Sequence, residues 1–461
     1  MKIRPEDTIA AVATPAGEGA IAIVRMSGPN SLSIAERVFH GRVPLSLADG
    51  YTVHYGEMRD SNDQPVDFVL ATVFRKPNSY TGEDSVEFSC HGGIFVTNLV
   101  LTTLLRAGAR QSDPGEFTKR AYINGKLDLS QAEAVADLIA ARSEKAHINS
   151  LHQLTGKLSD VLAPLRKSIL EVCSLLELEL DFSADNVPLI PKEEIHGIID
   201  EVSGQIEAML RTYDTGKAYR DGVSVVFAGR PNVGKSSIFN RLLTEERAIV
   251  ASTPGTTRDF IEESVVIDGI LFRIIDTAGL RESDDPVEMA GVSRTTALLM
   301  ESDIVLEVVD ASESIPHHNN NPIETMATPK SVRVYNKIDL IESAQLETFK
   351  ESNASKHSFI FVSALSGLGI EDLRRAMVKQ VADGGSNSDE GIRVTSRRHN
   401  DALLSALRSI KLARSSSVAG EPNEIVSFEL RQALEAISVI IGETTTDDIL
   451  DGIFAKFCIG K

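Results

Sequence analysis

A multidomain α/β plus α fold is predicted, with one α/β domain inserted into a helical domain. Three changes of texture along the chain predict it. Short apolar runs mixed with Gly and Pro fill the first part, to about residue 120. Long helical stretches with few Gly or Pro follow, and from Gly222 strands and helices alternate to about residue 380. Helical periodicity then returns and runs to the end. At 461 residues the chain is too long for one ordinary domain, so two to three are expected.

The elements follow in order. IAIVRMSG (21–28), VDFVLATVF (66–74) and SVEFSCHGG (85–93) read as strands, and NLVLTTLLRAG (98–108) as a helix closed by Gly108. In LDLSQAEAVADLIAARSEKA (127–146), Leu129, Ala132, Val135, Ala136 and Ile139 recur at helical spacing and form one face. LSDVLAPLRKSILEVCSLLELELDF (158–182) and EEIHGIIDEVSGQIEAMLRTYD (193–214) continue the pattern. ADGGSNSDEG (382–391) has the composition of a flexible linker. Beyond it, NDALLSALRSIKLAR (400–414) and EIVSFELRQALEAISVIIG (424–442) are helical again. The helices before and after the insertion are expected to pack together.

Composition narrows the class. Hydrophobic residues make up 42% and charged residues 25%, enough to bury real cores. No apolar run reaches the roughly 20 residues that span a bilayer. The N-terminus lacks a signal-peptide apolar core, and Glu6 and Asp7 argue against a transit peptide, so a cytoplasmic protein is expected. Cys90, Cys173 and Cys458 form no CxxC pair, and His317 and His318 have no third ligand beside them. A net charge of −19 gives no global attraction for nucleic acid. The best local basic patch is 391–414, with six Arg or Lys against one Asp: either a phosphate-binding surface or a solvated helix face.

GRPNVGKS (229–236) matches GxxxxGK[ST] between a strand, VSVVFA, and a helix, SIFNRLL. Backbone N–H groups of such a loop cradle phosphates, Lys235 neutralises the β- and γ-phosphates, and Ser236 offers a hydroxyl to Mg²⁺. DTAG (276–279) follows a strand and fits a D-x-x-G switch, with Asp276 reaching the metal through water and the Gly279 amide sensing the γ-phosphate. SVVIDGILFRII (264–275) reads as a hairpin with an Asp-Gly turn that carries Asp276 toward the phosphates. In NKID (336–339), Asp339 can accept both guanine N1–H and N2–H, and SAL (363–365) would support the base from its other edge. TPGTTRD (253–259) lies where a switch threonine should be. Four ordered motifs at strand ends specify a Ras-like, guanine-nucleotide P-loop domain with the nucleotide at the carboxyl ends of the strands.

Two details point to an unusual mechanism. Leu280 stands where many small GTPases carry a water-orienting glutamine. Glu288, in the acidic stretch RESDDPVEMAG (281–291), could take that task, or these acids could simply solvate a switch. Asn232 could offer its side-chain carbonyl to a monovalent cation beside the phosphates, or it could be a turn-favouring Asn.

Together these features resemble the tRNA modification GTPase family MnmE (also called TrmE). The resemblance covers essentially the whole chain, including GEGAIAIVRMSGP (17–29), SYTGEDSVEFSCHGG (79–93), DPGEFTKRAYINGKLDLSQAEAVADLI (113–139), the G motifs and the terminal CIGK. It implies a folate-binding, dimerising domain at 1–120, a helical domain split into 121–216 and 383–461, and a G domain at 217–382. It implies a homodimer that works as a heterotetramer with the FAD- and NADH-using protein MnmG. Together they add a carboxymethylaminomethyl or aminomethyl group at carbon 5 of the wobble uridine of certain tRNAs. A tetrahydrofolate derivative supplies the one-carbon unit, and GTP hydrolysis needs Mg²⁺ and K⁺.

Matched by position, the family's nucleotide contacts fall on Asn232, Val233, Gly234, Lys235, Ser236 and Ser237 of the loop. In the first switch they fall on Ala251, Ser252, Thr253, Pro254, Gly255, Thr256 and Thr257. Further along they fall on Asp276, Thr277, Ala278 and Gly279, then Asn336, Lys337 and Asp339, then Ser363, Ala364 and Leu365. The K⁺ ligands correspond to Asn232, Ala251, Thr253 and Thr256, where Ala251 replaces a frequent threonine but acts through its carbonyl. Mg²⁺ falls to Ser236 and Thr257, and the catalytic pair is Glu288 and Lys235. The folate contacts correspond to Arg25, Glu83, Lys126 and Lys461. Cys458 makes a poor lipidation box, because Gly460 is not aliphatic and Lys461 is an atypical last residue. It stands as a candidate active-site thiol or as packing. A ribosome-assembly GTPase and a GTP-switched scaffold are the alternative functions.

Overall fold

The computed structural model describes residues 6–181, 191–245, 261–276, 298–313, 331–353, 359–382 and 392–461. The described residues divide into two compact units: Met1–Ala136 with Gln153–Arg166 and Leu434–Lys461, and Asp137–His152 with Lys167–Ala433.

The first unit is built on a seven-stranded sheet. Its strands are β1 (Ile9–Val12), β2 (Ile21–Ser27), β3 (Phe39–Gly41), β4 (Thr52–Arg59), β5 (Pro65–Phe74), β6 (Ser85–His91) and β7 (Arg110–Gln111), in the spatial order β3-β4-β5-β6-β2-β1-β7. All neighbours are antiparallel except β1 and β7. Alternation sends Val24, Met26, Val86 and Phe88 to one face. There α1 (Ser31–Val38) and α2 (Ile94–Arg106) bury them with Ile34 and Leu104. Register sets Arg25 directly opposite Glu87 on the other face. The helix α2 begins four residues before the sequence reading placed it. Ile94 and Phe95 are exposed, so their strand-like character costs nothing in a first turn that packs on little. Next come α3 (Glu116–Ile123) and α4 (Leu129–Ala140). The predicted apolar face of α4 buries Leu129 and Ala132, but Ile139 at its end is exposed. The stretch breaks there, and α5 (Glu144–Leu154), which belongs to the second unit up to His152, restarts where Ser143 Oγ accepts the Ala146 N–H at 3.3 Å.

In the second unit α6 (Lys157–Asp181, shared with the first), α7 (Lys192–Leu210), α12 (Arg397–Ala419) and α13 (Asn423–Ile441) show that helices before and after the insertion do pack together. Lys411 pairs with Glu207 at 2.7 Å and Arg414 with Asp200 at 3.0 Å across α7 and α12, and Glu177 of α6 receives Arg431 of α13. Two of the patch's six basic residues, Lys411 and Arg414, are thereby paired. Arg397 pairs with Asp401, and the Arg393 guanidinium lies 5.2 Å from the centroid of the Tyr219 ring.

Between these helices lies a six-stranded sheet in the order β13-β12-β11-β8-β10-β9. Its strands are β8 (Val223–Ala228), β9 (Ile261–Ile267), β10 (Ile270–Asp276), β11 (Ile304–Asp310), β12 (Ser331–Asn336) and β13 (Phe359–Phe361), and only β9 runs antiparallel to its neighbour. The β9–β10 turn uses Asp268 and Gly269, both at positive φ, as the Asp-Gly pair predicted. One face packs on α8 (Tyr213–Asp221), α9 (Lys235–Glu245) and α11 (Ile370–Ala382) through Tyr219, Ile238, Leu242, Leu373 and Met377. The opposite face carries Tyr335, Ile338 and Leu346, the last from α10 (Ser343–Asn353). Helices on both faces of a parallel sheet make this the doubly wound domain.

Candidate functional sites

Parallel strands deliver four sequence motifs to one edge. The loop after β8 enters α9 at Lys235, β10 ends at Asp276, β12 ends at Asn336, and Val362 and Ser363 follow β13. Asn336 laces three of them together. It is buried, donates Nδ2 to the Val233 carbonyl at 2.9 Å and accepts the Ala364 N–H at 3.1 Å. Gly234 lies so close that a Cβ on it would stand 2.1 Å from Asn336 Nδ2, at a φ of +94°. The loop is therefore shaped by backbone, with Asn232 left-handed at φ 63° and exposed. Lys235 is buried, and its ammonium donates to the Gly229 and Arg230 carbonyls at 3.0 and 2.8 Å. Ser236 and Ser237 are exposed at the start of α9.

The turns that follow β12 and β13 carry the other motif residues. Lys337 is left-handed and gives its ammonium to Asp310 at 2.5 Å. Burial pushes the Asp310 carboxyl up, but the Lys337 ammonium and the Ser312 hydroxyl and amide outweigh it and hold the carboxyl below its usual range. Asp339 sits exposed in the helical turn Ile338–Leu340, and Leu365 is exposed beside the buried Ser363. The edge thus carries a loop shaped by its backbone at one end and the exposed Asp339 carboxylate at the other. Residues 251–257, 277–279 and Glu288 lie outside the described residues, and with them both switches, three of the K⁺ positions and the Mg²⁺ position Thr257. Among the described residues, no group of three or more His, Cys, Asp or Glu side chains is arranged to hold a metal ion.

In the first unit, four segments far apart in sequence meet around α3. Arg25 on β2 pairs with Glu87 at 2.7 Å, and its guanidinium lies 5.3 Å from the Tyr80 ring centroid and 5.8 Å from that of Phe117. The C-terminal tail arrives at the same place: the Phe117 amide donates to the Lys461 carbonyl at 3.2 Å. The Lys461 ammonium is destabilised first by burial and then by the Arg25 charge, so its pKa lies below the usual lysine value. Glu83 accepts Ser27 Oγ at 2.8 Å and Arg120 Nη1 at 3.1 and 3.2 Å. Lys126 is exposed, but its stem runs along Gly82, next to Glu83, and Asn124 Nδ2 ties the same loop by donating to the Thr81 carbonyl at 2.7 Å. The structure therefore brings Arg25, Glu83, Lys126 and Lys461 to one neighbourhood. Cys458 is exposed on the same tail.

Sequence reasoning singled out none of Glu87, Tyr80, Phe117 or Arg120, although all four lie in quoted segments. The only local signal was Glu116 with Arg120, an (i, i+4) charge pair on a helix that buries both. A buried ion pair says that a partner exists without saying which.

Comparison with known proteins agrees with this architecture. Residues 8–126 match the family model "GTP-binding protein TrmE N-terminus", and residues 129–458 match "MnmE helical domain". The chain is 42% identical over 463 residues to the tRNA modification GTPase MnmE of Salinibacter ruber, covering 99% of each. It is 41% identical over 458 residues to that of Aquifex aeolicus, covering 99% of this chain and 100% of that one. Full-length similarity of this degree, with both family models in order, places the chain in the MnmE (TrmE) family of tRNA modification GTPases.

Proposed function

We propose that this protein hydrolyses GTP in a K⁺-dependent reaction and acts on tRNA with an FAD-containing partner of the MnmG type, which also uses NADH. The product is a carboxymethylaminomethyl or aminomethyl group at carbon 5 of a wobble uridine, with the one-carbon unit taken from a tetrahydrofolate derivative in the cytoplasm. The relatives' names favour tRNA modification over ribosome assembly. The observation that carries the folate part is the meeting of Arg25, Glu83, Lys126 and Lys461 around α3. Three cationic side chains suit a ligand with carboxylates and carbonyls, and a carboxylate acceptor suits the amino edge of a pterin. When bound, the folate would supply the transferable carbon, while these side chains bind and orient it.

In the nucleotide domain, Lys235 and the loop amides would hold the phosphates, Asp339 the guanine, and Ser236 with Thr257 the Mg²⁺. Asn232, Ala251, Thr253 and Thr256 would hold K⁺, and Glu288 would orient the attacking water. The domains we assign are folate-binding and dimerising at 1–120, helical at 121–216 and 383–461, and G at 217–382. Two measurements test this reading. Wild-type protein should retain 5-formyltetrahydrofolate in equilibrium dialysis; no retention rejects the folate assignment. Glu288→Ala should keep GTP affinity but lose about 100-fold or more in hydrolysis, and equal rates in Na⁺ and K⁺ reject the cation role.

A further inference from the structure

Glu83 is gripped from inside the protein on both carboxylate oxygens. Arg120 Nη1 sits astride them at 3.1 and 3.2 Å, and Ser27 Oγ donates to Oε2 at 2.8 Å. Both grips are themselves held. Arg120 is 2% exposed, and it also donates to the Asp7 carbonyl and to Glu116 Oε1, each at 3.0 Å. Glu116 is in turn fixed by Arg110 at 2.7 and 3.1 Å and by the Asp113 amide at 2.9 Å. Ser27 is fully buried, and its hydroxyl lies 2.7 Å from that of Thr81 and 3.1 Å from that of Ser85. The Glu83 amide closes the same loop on Thr81 Oγ1 at 3.2 Å.

This arrangement is a poor way to gain stability alone. A buried ionic network repays its desolvation only when every group is satisfied, and Arg120 Nε has no hydrogen-bond partner among the described residues. What the network does achieve is to immobilise one carboxylate whose side chain keeps partial contact with solvent, beside Lys126. With Arg120 shared between the two oxygens and Ser27 on Oε2, the lone pair left open is on Oε1, and it points in one fixed direction.

We propose that Arg120 and Ser27 are positioning residues that fix the Glu83 carboxylate so that its Oε1 receives one N–H donor, the 2-amino group of a 2-amino-4-oxopteridine. Their role rests on Glu83 being a folate contact. Through it, they make the site selective for ligands that carry the 2-amino group, since a carboxylate aimed at an absent donor is left unpaired.

The test compares the affinities of 5-formyltetrahydrofolate and its 2-desamino analogue in the full-length protein. Wild type should prefer the amino-bearing ligand by roughly ten-fold or more. Ser27→Ala and Arg120→Lys should each weaken that ligand by roughly ten-fold and leave the desamino analogue within about two-fold, so that the preference collapses. Adding Ser27→Ala to Glu83→Gln should cost nothing further. Equal weakening of both ligands, or an unchanged preference in both variants, overturns the positioning role while leaving the folate reading intact. If Arg120→Lys does not fold, Ser27→Ala, which removes one hydroxyl without adding bulk, decides alone. Failure of wild type to bind either compound overturns the folate reading and the positioning role with it.

Discussion

Around the nucleotide loop the structure arranges backbone. A left-handed Asn232, a Gly234 pressed against Asn336 and a lysine tied to loop carbonyls fill a continuous eight-residue motif. Around α3 it arranges side chains: Arg25, Glu83, Arg120 and Lys461 come from β2, a loop, a helix and the last residue of the chain. The first site needs one segment to take up one conformation. The second needs a sheet, a helix and a tail to arrive together. The difference teaches where each site is fragile: the first to the addition of a single Cβ, the second to anything that undocks a distant segment.

Three substitutions probe that contrast. The largest effect is expected from Gly234→Ala. Its φ of +94° and the 2.1 Å approach to Asn336 Nδ2 leave no room for a methyl group. GTP affinity, measured by calorimetry, should fall by ~100-fold, with folate retention unaffected; unchanged GTP affinity would break the claim that backbone shapes this site. Gly460→Ala asks the same of the tail. A Cβ there meets the Val12 carbonyl at 2.2 Å, at a φ of +97°. Tail docking should lose about 2–3 kcal/mol, seen as faster proteolysis of the last residues and loss of 5-formyltetrahydrofolate retention, while GTP affinity holds. If folate is still retained, its binding does not depend on the docked tail or on Lys461.

The smallest effect sharpens the one place where the nucleotide domain also leans on a side-chain pair. Lys337→Met strands the buried Asp310 and should cost about 1–2 kcal/mol in urea unfolding at neutral pH. The Asp310 carboxyl titrates below its usual range when folded. The pair's contribution is therefore complete above the unfolded carboxyl range and is lost as pH falls through the lower folded value. The gap between wild type and Lys337→Met should shrink on acidification; a gap independent of pH would assign the loss to packing of the lysine stem.

The same contrast explains how much was legible beforehand. The Walker loop, the Asp-Gly hairpin, NKID and SAL were readable because each is contiguous and each forces a local geometry that few residues permit. The strands at 21–28, 66–74 and 85–93 were readable from alternation. The start of α2 was not, because its first turn is exposed and carries β-prone residues without penalty. The pairing of Lys411 and Arg414 on α12 was not, because their acids lie on α7, some two hundred residues earlier.

By itself, the sequence determined the loop and turn geometry of the nucleotide-type motifs and the order of α/β and helical segments, since spacing within a few residues governs turns, loop amides and helix starts. Only the tertiary structure decided that Arg25 faces Glu87, that Lys461 arrives beside Arg25, and that Arg120 holds Glu83. Those contacts depend on strand register, on the burial of α3 and on the docking of a tail more than three hundred residues away. A charged residue in a sequence carries no mark of whether water or another charge will meet it. That is settled only when the apolar positions around it have chosen what to bury.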